Sequence, residues 1–292
     1  MAIVRDISKW NKVTDYSAMT KDSDGVICRL AYRGNSTGKI TMDVLAEKHL
    51  AELARRNCPI GIYFFDNAIN EEEAREEARF CINYIKEHNL KLSFPVYIDS
   101  EYGNKNHDGR ADKLSKEDRT NNILAFIDEM NKAGYHAGIY ASDSWFVSHL
   151  DFDRIKNCNR WVAAYNGNKV LKYNLKTEIN GHQYTNCGAC QGAGTIDTSD
   201  WFVPIDTNAF IIKKKITSKK PSTKKFNDGD KVTLKVVDIF SSSTTDKVTN
   251  KKSGTFYIWS NVKRNGRIRI TTKKEYVKEN GKVTGWVNVD DL

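Results

Sequence analysis

The residues best suited to catalysis stand at the end of an apolar segment, FPVYIDSEY, residues 94–102. Asp99 and Glu101 are one residue apart, and side chains alternate along a strand, so both carboxyl groups face the same way if the strand persists that far. Two like charges at short distance repel each other, which raises the pKa of one of them. A purely structural strand gains nothing from this arrangement, whereas a site that needs one protonated and one ionised acid does.

Glycoside hydrolysis typically uses such a pair, because one carboxylic acid protonates the leaving oxygen while the other carboxylate stabilises the developing oxocarbenium ion. We assign Glu101 as the general acid because glutamate has the longer side chain and the higher reference pKa. Asp99 is then expected to stay ionised. A lone D-x-E is also typical of a solvated loop after a strand. The neighbouring Tyr97 and Tyr102 and the apolar approach favour the catalytic interpretation.

The segments that position this pair alternate between strands and helices. Short apolar runs predict strands at 2–8, 25–32, 60–65, 94–100, 136–142, 160–165, 181–185 and 194–199. Apolar residues at helical spacing predict helices at 40–57, 70–88 and 115–134. Asn70 and Ser115 are the predicted N-caps of the second and third helices, and Gly134 is a predicted C-terminal cap. The predicted buried face of the first helix contains Val44, Leu45, Leu50, Leu53 and Ala54.

This alternation favours either a closed α/β barrel or a doubly wound sheet. Catalytic groups of a barrel lie at the C-terminal ends of its strands. Asp6 ends the first predicted strand, Asp99 and Glu101 end the fourth, and Asp197 ends the last. The first and last strands are neighbours in a closed barrel, so a barrel brings the four acids to one rim, whereas a doubly wound sheet scatters them.

Aromatic and amide side chains cluster near the same strand ends. An aromatic ring offers a flat apolar face with a polar edge, which suits stacking under a sugar ring. Many such residues are simply core, and this is our interpretation of Phe64, Phe65 and Trp161. The candidate substrate-binding residues are Tyr63, Tyr140, Trp145, Tyr165 and Gln183.

The composition changes after residue 210. Residues 1–210 contain 26 Lys and Arg against 29 Asp and Glu, a net charge of −3, whereas residues 211–292 contain 20 against 8, a net charge of +12. The Lys-rich stretch 211–227 predicts a flexible linker, and the short strand-like runs of 228–292 predict a small all-β barrel. A basic tail is attracted to a polyanion. Nucleic acid is the less favoured partner because the lysines are concentrated in the linker.

Other chemistry is disfavoured by spacing. Cys187 and Cys190 form a CxxC, but no second pair completes a zinc site. The segment GNSTGKI at 34–40 departs from phosphate-loop spacing. No apolar run approaches the roughly 20 residues of a membrane helix, and MAIVRDISKW lacks the pattern of a signal peptide. We therefore expect reduced cysteines, no metal, no membrane insertion and a cytoplasmic product.

Residues 2–210 resemble the glycoside hydrolase family 25 muramidases, the Chalaropsis-type lysozymes of phage endolysins and bacterial autolysins. The motifs that carry the resemblance are, in order, VRDISKWN, GIYFF, VYIDSEY, AGIYAS, WVAAYN, HQYT and TIDTSDWF. The resemblance implies a distorted TIM-like β/α barrel that cleaves the β-1,4 bond between N-acetylmuramic acid and N-acetylglucosamine without a cofactor. Asp6, Asp99, Glu101 and Asp197 match the family's active-site acids, with Glu101 as the proton donor.

The resemblance leaves open how the developing charge is stabilised. Either Asp99 attacks the sugar, or it orients the substrate's own N-acetyl oxygen for that attack. Asp6 and Asp197 would orient the substrate and tune the pair through their charge. Relatives often carry a histidine where this chain has Phe64, so no role is carried over to that position.

Residues 228–292 resemble a bacterial SH3-like cell-wall-binding domain through GTFYIW, GRIRIT and GWVNVDDL. A wall anchor raises the local concentration of an enzyme on an insoluble substrate, and a net charge of +12 suits a wall rich in anionic polymers. We expect a phage endolysin that accumulates in the host cytoplasm, leaves through a holin-type membrane lesion and lyses a Gram-positive wall. The alternatives are a bacterial autolysin, a non-catalytic wall-binding protein and a basic nucleic-acid-binding protein. The sequence does not indicate an oligomeric state.

Overall fold

The computed structural model describes residues 2–167, 171, 178–205, 225–243, 245, 248–264 and 266–292. The chain forms two compact units, Met1–Lys214 and Lys215–Leu292. Most of the predicted linker, residues 211–224, lies outside the described residues. Within the described ranges, no helix is both long and apolar enough to cross a membrane.

The first unit is built on a single sheet. Its strands, within the described residues, are β1 (Ala2–Ile7), β2 (Gly25–Arg33), β3 (Ile40–Met42), β4 (Ile60–Phe65), β5 (Val96–Asp99), β6 (Ala137–Ser142), β7 (Asn159–Ala163), β8 (Gly181–Cys190) and β9 (Gly194–Trp201). The strand order is β1-β9-β8-β7-β6-β5-β4-β2-β3, and β1 also pairs with β2. Eight strands therefore close into a ring with β3 outside it. The predicted α/β barrel is confirmed, and the doubly wound sheet is excluded.

The ring departs from an all-parallel barrel at one strand. Neighbouring strands from β1 through β2 and β4 to β8 run parallel. By contrast, β9 is antiparallel to both β8 and β1. The two are joined as a hairpin, because Cys190 of β8 pairs with Gly194 of β9. The reversed strand distorts the barrel, and the family resemblance implied a distorted barrel.

Four of the six helices described in the first unit begin at side-chain caps. Their bounds are α1 (Tyr16–Lys21), α2 (Ala46–Arg55), α3 (Glu71–Glu87), α4 (Lys116–Ala133), α5 (Asp143–Ser148) and α6 (Phe152–Ile155). Asn70 Oδ1 accepts a hydrogen bond from the backbone N–H of Glu73 at 3.0 Å, and Ser115 Oγ accepts one from Asp118 N at 3.0 Å. Gly134 follows α4 with a left-handed φ of 95°. The three predicted caps are confirmed, whereas α1, α5 and α6 were not predicted.

The prediction of one helix over 40–57 is wrong at its start. Residues 40–42 form β3, which pairs with the end of β2, and Asp43 Oδ1 then accepts a hydrogen bond from Leu45 N at 3.0 Å. Because the helix begins only after this turn, the residues on its buried face differ from the predicted set. Val44 is 78% exposed, and Ala54 is exposed as well. The buried face consists of Ala46, His49, Leu50 and Leu53.

The two faces of β5 contribute side chains to two different cores of the first unit. Val96 and Ile98 belong to the large apolar core that also includes helix residues. Tyr97 faces the other way and packs with Phe94, Trp161 and Trp201 inside the ring. The predicted alternation along this strand is therefore confirmed, and it sends Asp99 toward the barrel axis, two residues beyond Tyr97. Phe64 and Trp161 are core residues, as predicted.

The second unit is a small all-β barrel. Its strands, within the described residues, are β10 (Lys231–Phe240), β11 (Val248–Arg264), β12 (Arg267–Thr271) and β13 (Gly285–Asn288), and they close on one another. Its core is aliphatic, apart from Phe256. The strand that carries the GRIRIT motif stops at Thr271, and Lys274–Tyr276 form a 3-10 turn.

Candidate active site

A pocket of about 330 Å³ opens at the rim of the barrel where β1 and β5 end. The structure brings to it all four predicted acids and four of the five predicted substrate-binding residues. These are Asp6, Asp99, Glu101, Asp197, Tyr63, Tyr140, Tyr165 and Gln183. We call it the acid pocket.

Each acid reaches this pocket from a different position in its strand. Asp6 is the penultimate residue of β1, Asp99 is the last residue of β5, and Glu101 follows two residues later. Asp197 does not end its strand as predicted, since β9 continues to Trp201. It lies directly opposite Asp6 in the antiparallel β1–β9 pair. Because β9 runs against its neighbours, its first half, not its end, lies at the catalytic rim.

Asp6 and Asp99 are the buried members of the group. Burial raises the pKa of Asp6 well above its usual value, and the negative charge of Asp197 adds to the effect. Burial and the charge of Glu101 likewise raise the pKa of Asp99, which is 4% exposed, and the cation of Arg29 opposes the shift. This direction differs from the sequence-based expectation of an ionised Asp99. Asp99 Oδ1 has no hydrogen-bond partner among the described residues.

Glu101 occupies the mouth of the pocket. Its side chain is accessible to solvent, yet desolvation by the surrounding protein raises its pKa to about 7. The charge of Asp197 raises this pKa further, and Arg29 lowers it. Burial also raises the pKa of Asp197, to about 6. A carboxyl group with a pKa of about 7 holds its proton through a useful part of the neutral range.

A chain of hydrogen bonds fixes the orientation of Asp6. Gln183 Nε2 donates to Asp6 Oδ2 at 2.7 Å. The other end of the same amide, Gln183 Oε1, accepts from the hydroxyl of Tyr140 at 2.7 Å and from the hydroxyl of Tyr165. These two donors leave the amide only one orientation, with its N–H toward the acid. Three of the predicted substrate-binding residues therefore also position an acid.

Arg29 is a pocket residue that sequence reasoning missed. It lies on β2, lines the acid pocket and donates through Nε to Asp43 Oδ2 at 2.8 Å. The available signal was a charged residue inside the apolar run GVICRLAY, because arginine is rarely buried without a partner. Phe65 was interpreted as core, but it is only half-buried and lines the acid pocket.

Trp145 lies outside the acid pocket, in a neighbouring pocket of about 460 Å³. Its indole N–H donates to Ser100 Oγ at 3.2 Å, and its ring stacks on that of His149 with centroids 3.9 Å apart. Tyr102 packs edge-on against the same indole. We call this the aromatic pocket. Glu101 lines both it and the acid pocket.

The described residues contain no group of three or more His, Cys, Asp or Glu side chains that could hold a metal ion. Cys187 is exposed and Cys190 is buried, and both are free thiols on β8. The acid pocket offers carboxyl groups, hydroxyls, three side-chain amides and the cation of Arg29 to a ligand. This donor set suits a neutral polyhydroxylated substrate whose reaction needs proton transfer.

A closed barrel that gathers carboxyl groups at the C-terminal rim is the architecture of a glycoside hydrolase. The sequence profile of the Glycosyl hydrolases family 25 matches residues 5–193. The chain belongs to this family, so the prediction of a glycoside hydrolase is confirmed. No curated protein sequence matches the chain at a significant level.

Solved structures with similar folds agree with this assignment. The modular autolysin LytC from Streptococcus pneumoniae is 30% identical with a TM-score of 0.61, over 69% of this chain and 46% of LytC. The catalytic domain of endolysin ply40 from bacteriophage P40 of Listeria monocytogenes is 25% identical with a TM-score of 0.55, over 70% of this chain and 95% of that domain. A family 25 glycosyl hydrolase from Bacillus anthracis shares the fold at 19% identity and a TM-score of 0.56, over 70% of this chain and 90% of its own. The chain thus spans less than half of LytC.

Proposed function

We propose that this protein is a muramidase, cleaving the β-1,4 bond between N-acetylmuramic acid and N-acetylglucosamine in peptidoglycan. The observation that carries the proposal is the placement of Glu101. It stands at the mouth of a pocket that holds three further acids, and its pKa is raised to about 7. A carboxylic acid at such a position can protonate a glycosidic oxygen near neutral pH.

Asp99 acts on the other side of the scissile bond. Its Oδ1 lacks a partner among the described residues and lies in the floor of the acid pocket, where it can meet a developing positive charge. It serves either as the nucleophile or as the acceptor that orients the substrate's N-acetyl group in a substrate-assisted reaction. Asp99 has to be ionised in either role, and the cation of Arg29 and the positive charge that develops on the sugar both favour that form.

The remaining pocket residues bind and orient the sugar. Asp6 is held by the amide of Gln183, and Asp197 faces it across the β1–β9 pair, so both can accept hydrogen bonds from sugar hydroxyls. Tyr63, Tyr140 and Tyr165 supply ring faces and hydroxyl groups. Trp145 contributes through the aromatic pocket, next to Glu101. No metal or organic cofactor takes part in this proposal.

The comparisons support peptidoglycan as the substrate. The LytC relative is an autolysin whose structure has been determined with a synthetic peptidoglycan ligand, and the ply40 relative is a phage endolysin. We propose that this chain is likewise a phage endolysin, released from the host cytoplasm through a holin-type lesion to lyse a Gram-positive wall. A bacterial autolysin is the second candidate, favoured by the 30% identity to LytC. The genes that flank the coding sequence separate the two.

The second unit is proposed to be an SH3-like cell-wall-binding domain. Its closed four-stranded barrel and the net charge of +12 on residues 211–292 support binding to a wall that carries anionic polymers.

The decisive experiment removes the proton of Glu101. We expect Glu101→Gln to lower the rate of wall clearing about 100-fold or more, because general acid catalysis contributes at least about that factor. Glu117→Gln is the matched control, since Glu117 is an exposed residue of the first turn of α4. Mass spectrometry of the digest should show new reducing ends on muramic acid. Equal clearing by Glu101→Gln and wild type, new reducing ends on glucosamine, or freed stem peptides would each reject the proposal.

A further inference from the structure

A third pocket, of about 290 Å³, adjoins the acid pocket. Trp10, Arg29 and Phe65 line both of them. The third pocket is further lined by Lys9, Tyr32, Arg33 and Asn67, and we call it the basic pocket. Trp10 is 77% exposed at the shared boundary, so its ring offers an apolar face to a ligand that enters either pocket.

Lys9 gives this pocket an unpaired positive charge. Arg29 is ion-paired with Asp43 at 2.7 Å, and Arg33 with the buried Glu77 at 2.7 Å. The ammonium of Lys9 instead lies 4.8 Å from the ring centroid of Trp10 and 4.9 Å from that of Tyr32. It pairs with no carboxylate in the part of the chain that the structure describes. The pocket therefore offers an anionic ligand one uncompensated cation.

Asn67 supplies an unused acceptor in the same pocket. Its Nδ2 donates to the backbone oxygen of Arg33 at 3.0 Å, but its Oδ1 has no partner among the described residues. The side chain is buried, and glycine at position 103 lets the backbone pass close to this oxygen, because a Cβ there would lie 2.8 Å from Oδ1. A peptide N–H that reaches this oxygen would satisfy the acceptor.

The order of the three pockets indicates which part of a glycan lies in each; this step rests on the proposed function. A general acid stands beside the leaving oxygen, and Glu101 lines both the acid pocket and the aromatic pocket. The sugar in the acid pocket is then the muramic acid whose bond is cleaved, and the leaving glucosamine enters the aromatic pocket. Muramic acid carries a lactyl group with a short acidic peptide. The other pocket that adjoins the acid pocket is the basic pocket.

We propose that the basic pocket binds the acidic stem peptide of the muramic acid being cleaved. The Lys9 ammonium pairs with a peptide carboxylate, Trp10 packs on the aliphatic part of the arm, and Asn67 accepts a peptide N–H. The arrangement has an electrostatic reason as well. The acid pocket concentrates four carboxyl groups. Those that are ionised repel an anionic arm, and Lys9 draws that arm away from them.

The test compares two substrates that differ only in the arm. One is uncross-linked glycan strand with its stem peptides. The other is the same strand stripped by an amidase, with its lactyl carboxylates capped as methylamides. We expect Lys9→Met to lower kcat/KM on the peptide-bearing strand about two- to fivefold, within the range for one solvent-accessible ion pair. On the capped strand it should change nothing. Lys9→Arg should keep most of the activity, and Lys12→Met, which removes an exposed lysine that lines none of the pockets, is the control.

The outcomes separate this inference from the proposed function. An equal loss on both strands, or no loss on either, rejects the stem-peptide site while leaving the muramidase intact. If the wild-type protein frees no muramic acid ends from either strand, the proposed function fails instead. In that case the basic pocket can still be tested by calorimetry of N-acetylmuramoyl-L-alanyl-D-glutamate binding to the Glu101→Gln protein, with and without Lys9→Met. Weaker binding with Lys9→Met supports the stem-peptide site, and unchanged binding rejects it.

Discussion

Two acids that are one residue apart in sequence occupy different environments in this protein. Asp99 is a buried strand residue, whereas Glu101 lies beyond the strand at the mouth of the pocket. Burial is the largest cause that raises the pKa of each. What distinguishes the pair is access, because the exposed acid can exchange its proton with solvent and with a leaving group. The general acid is therefore assigned from position together with pKa, not from spacing alone.

The pH dependence of activity follows from the protonated form of Glu101. Activity requires the acid to hold its proton, so it should fall as the pH rises through about 7, the raised pKa of this group. Asp197 is one of the charges that raise that pKa. Asp197→Asn removes this charge, which lowers the pKa of Glu101 and should move the alkaline limb of kcat/KM to lower pH. A limb that stays in place, or moves to higher pH, would contradict the assignment.

Gln183 is expected to matter through the acid that it holds. Gln183→Met keeps the volume but removes the donor to Asp6 and the acceptor for Tyr140 and Tyr165. Because the raised pKa of Asp6 favours its neutral form, the bond contributes about 0.5–1.5 kcal/mol, so kcat/KM should fall roughly two- to tenfold. Tyr165→Phe is the milder comparison, since it leaves the Tyr140 bond in place and should cost less. If Gln183→Met and Tyr165→Phe have similar kcat/KM values, this chain of hydrogen bonds does not position Asp6.

At the scale of elements, the sequence predicts individual strands better than the way they meet. Alternation along 94–100 predicted that Asp99 faces the pocket, because strand periodicity is a local property. The antiparallel direction of β9 was not predicted, since it depends on pairing with β1, almost the length of the domain away. This is why Asp197 was placed at the end of its strand. The start of α2 was missed for the same reason, because β3 exists only through its pairing with β2.

Helix α3 carries a test of local prediction. Asn70 caps it by accepting from Glu73 N, so Asn70→Ala should lower the free energy of unfolding by about 1 kcal/mol. Asn70→Ser, which keeps a capping oxygen, should lose little. Urea unfolding followed by circular dichroism at the helix band measures the difference, because the described α-helices all belong to the first unit. Equal stability of the alanine and serine variants would show that the cap does not stabilise the helix.

At the scale of the whole molecule, charge is divided between the two compact units. The first unit, residues 1–214, carries a net charge of −1 and contains the acid pocket, while residues 215–292 carry +10. Under the proposed function, the nearly neutral first unit is not attracted to a wall that carries anionic polymers, whereas the basic second unit is. The proposal therefore separates affinity for the wall from chemistry on the glycan.

This division predicts what truncation does. A chain of Met1–Lys214 should hydrolyse short soluble glycan strands as fast as the full protein, because its acid pocket is unchanged. On insoluble walls it should be about tenfold slower or worse, since it loses the raised local concentration that a tethered wall binder supplies. The segment 211–292 should sediment with purified walls and should be released at about 0.5 M salt, where screening shortens the reach of its charges. Equal clearing of insoluble walls by the two chains would remove the second unit from the wall-binding role, and retention of DNA but not of walls by 211–292 would assign its charge to nucleic acid.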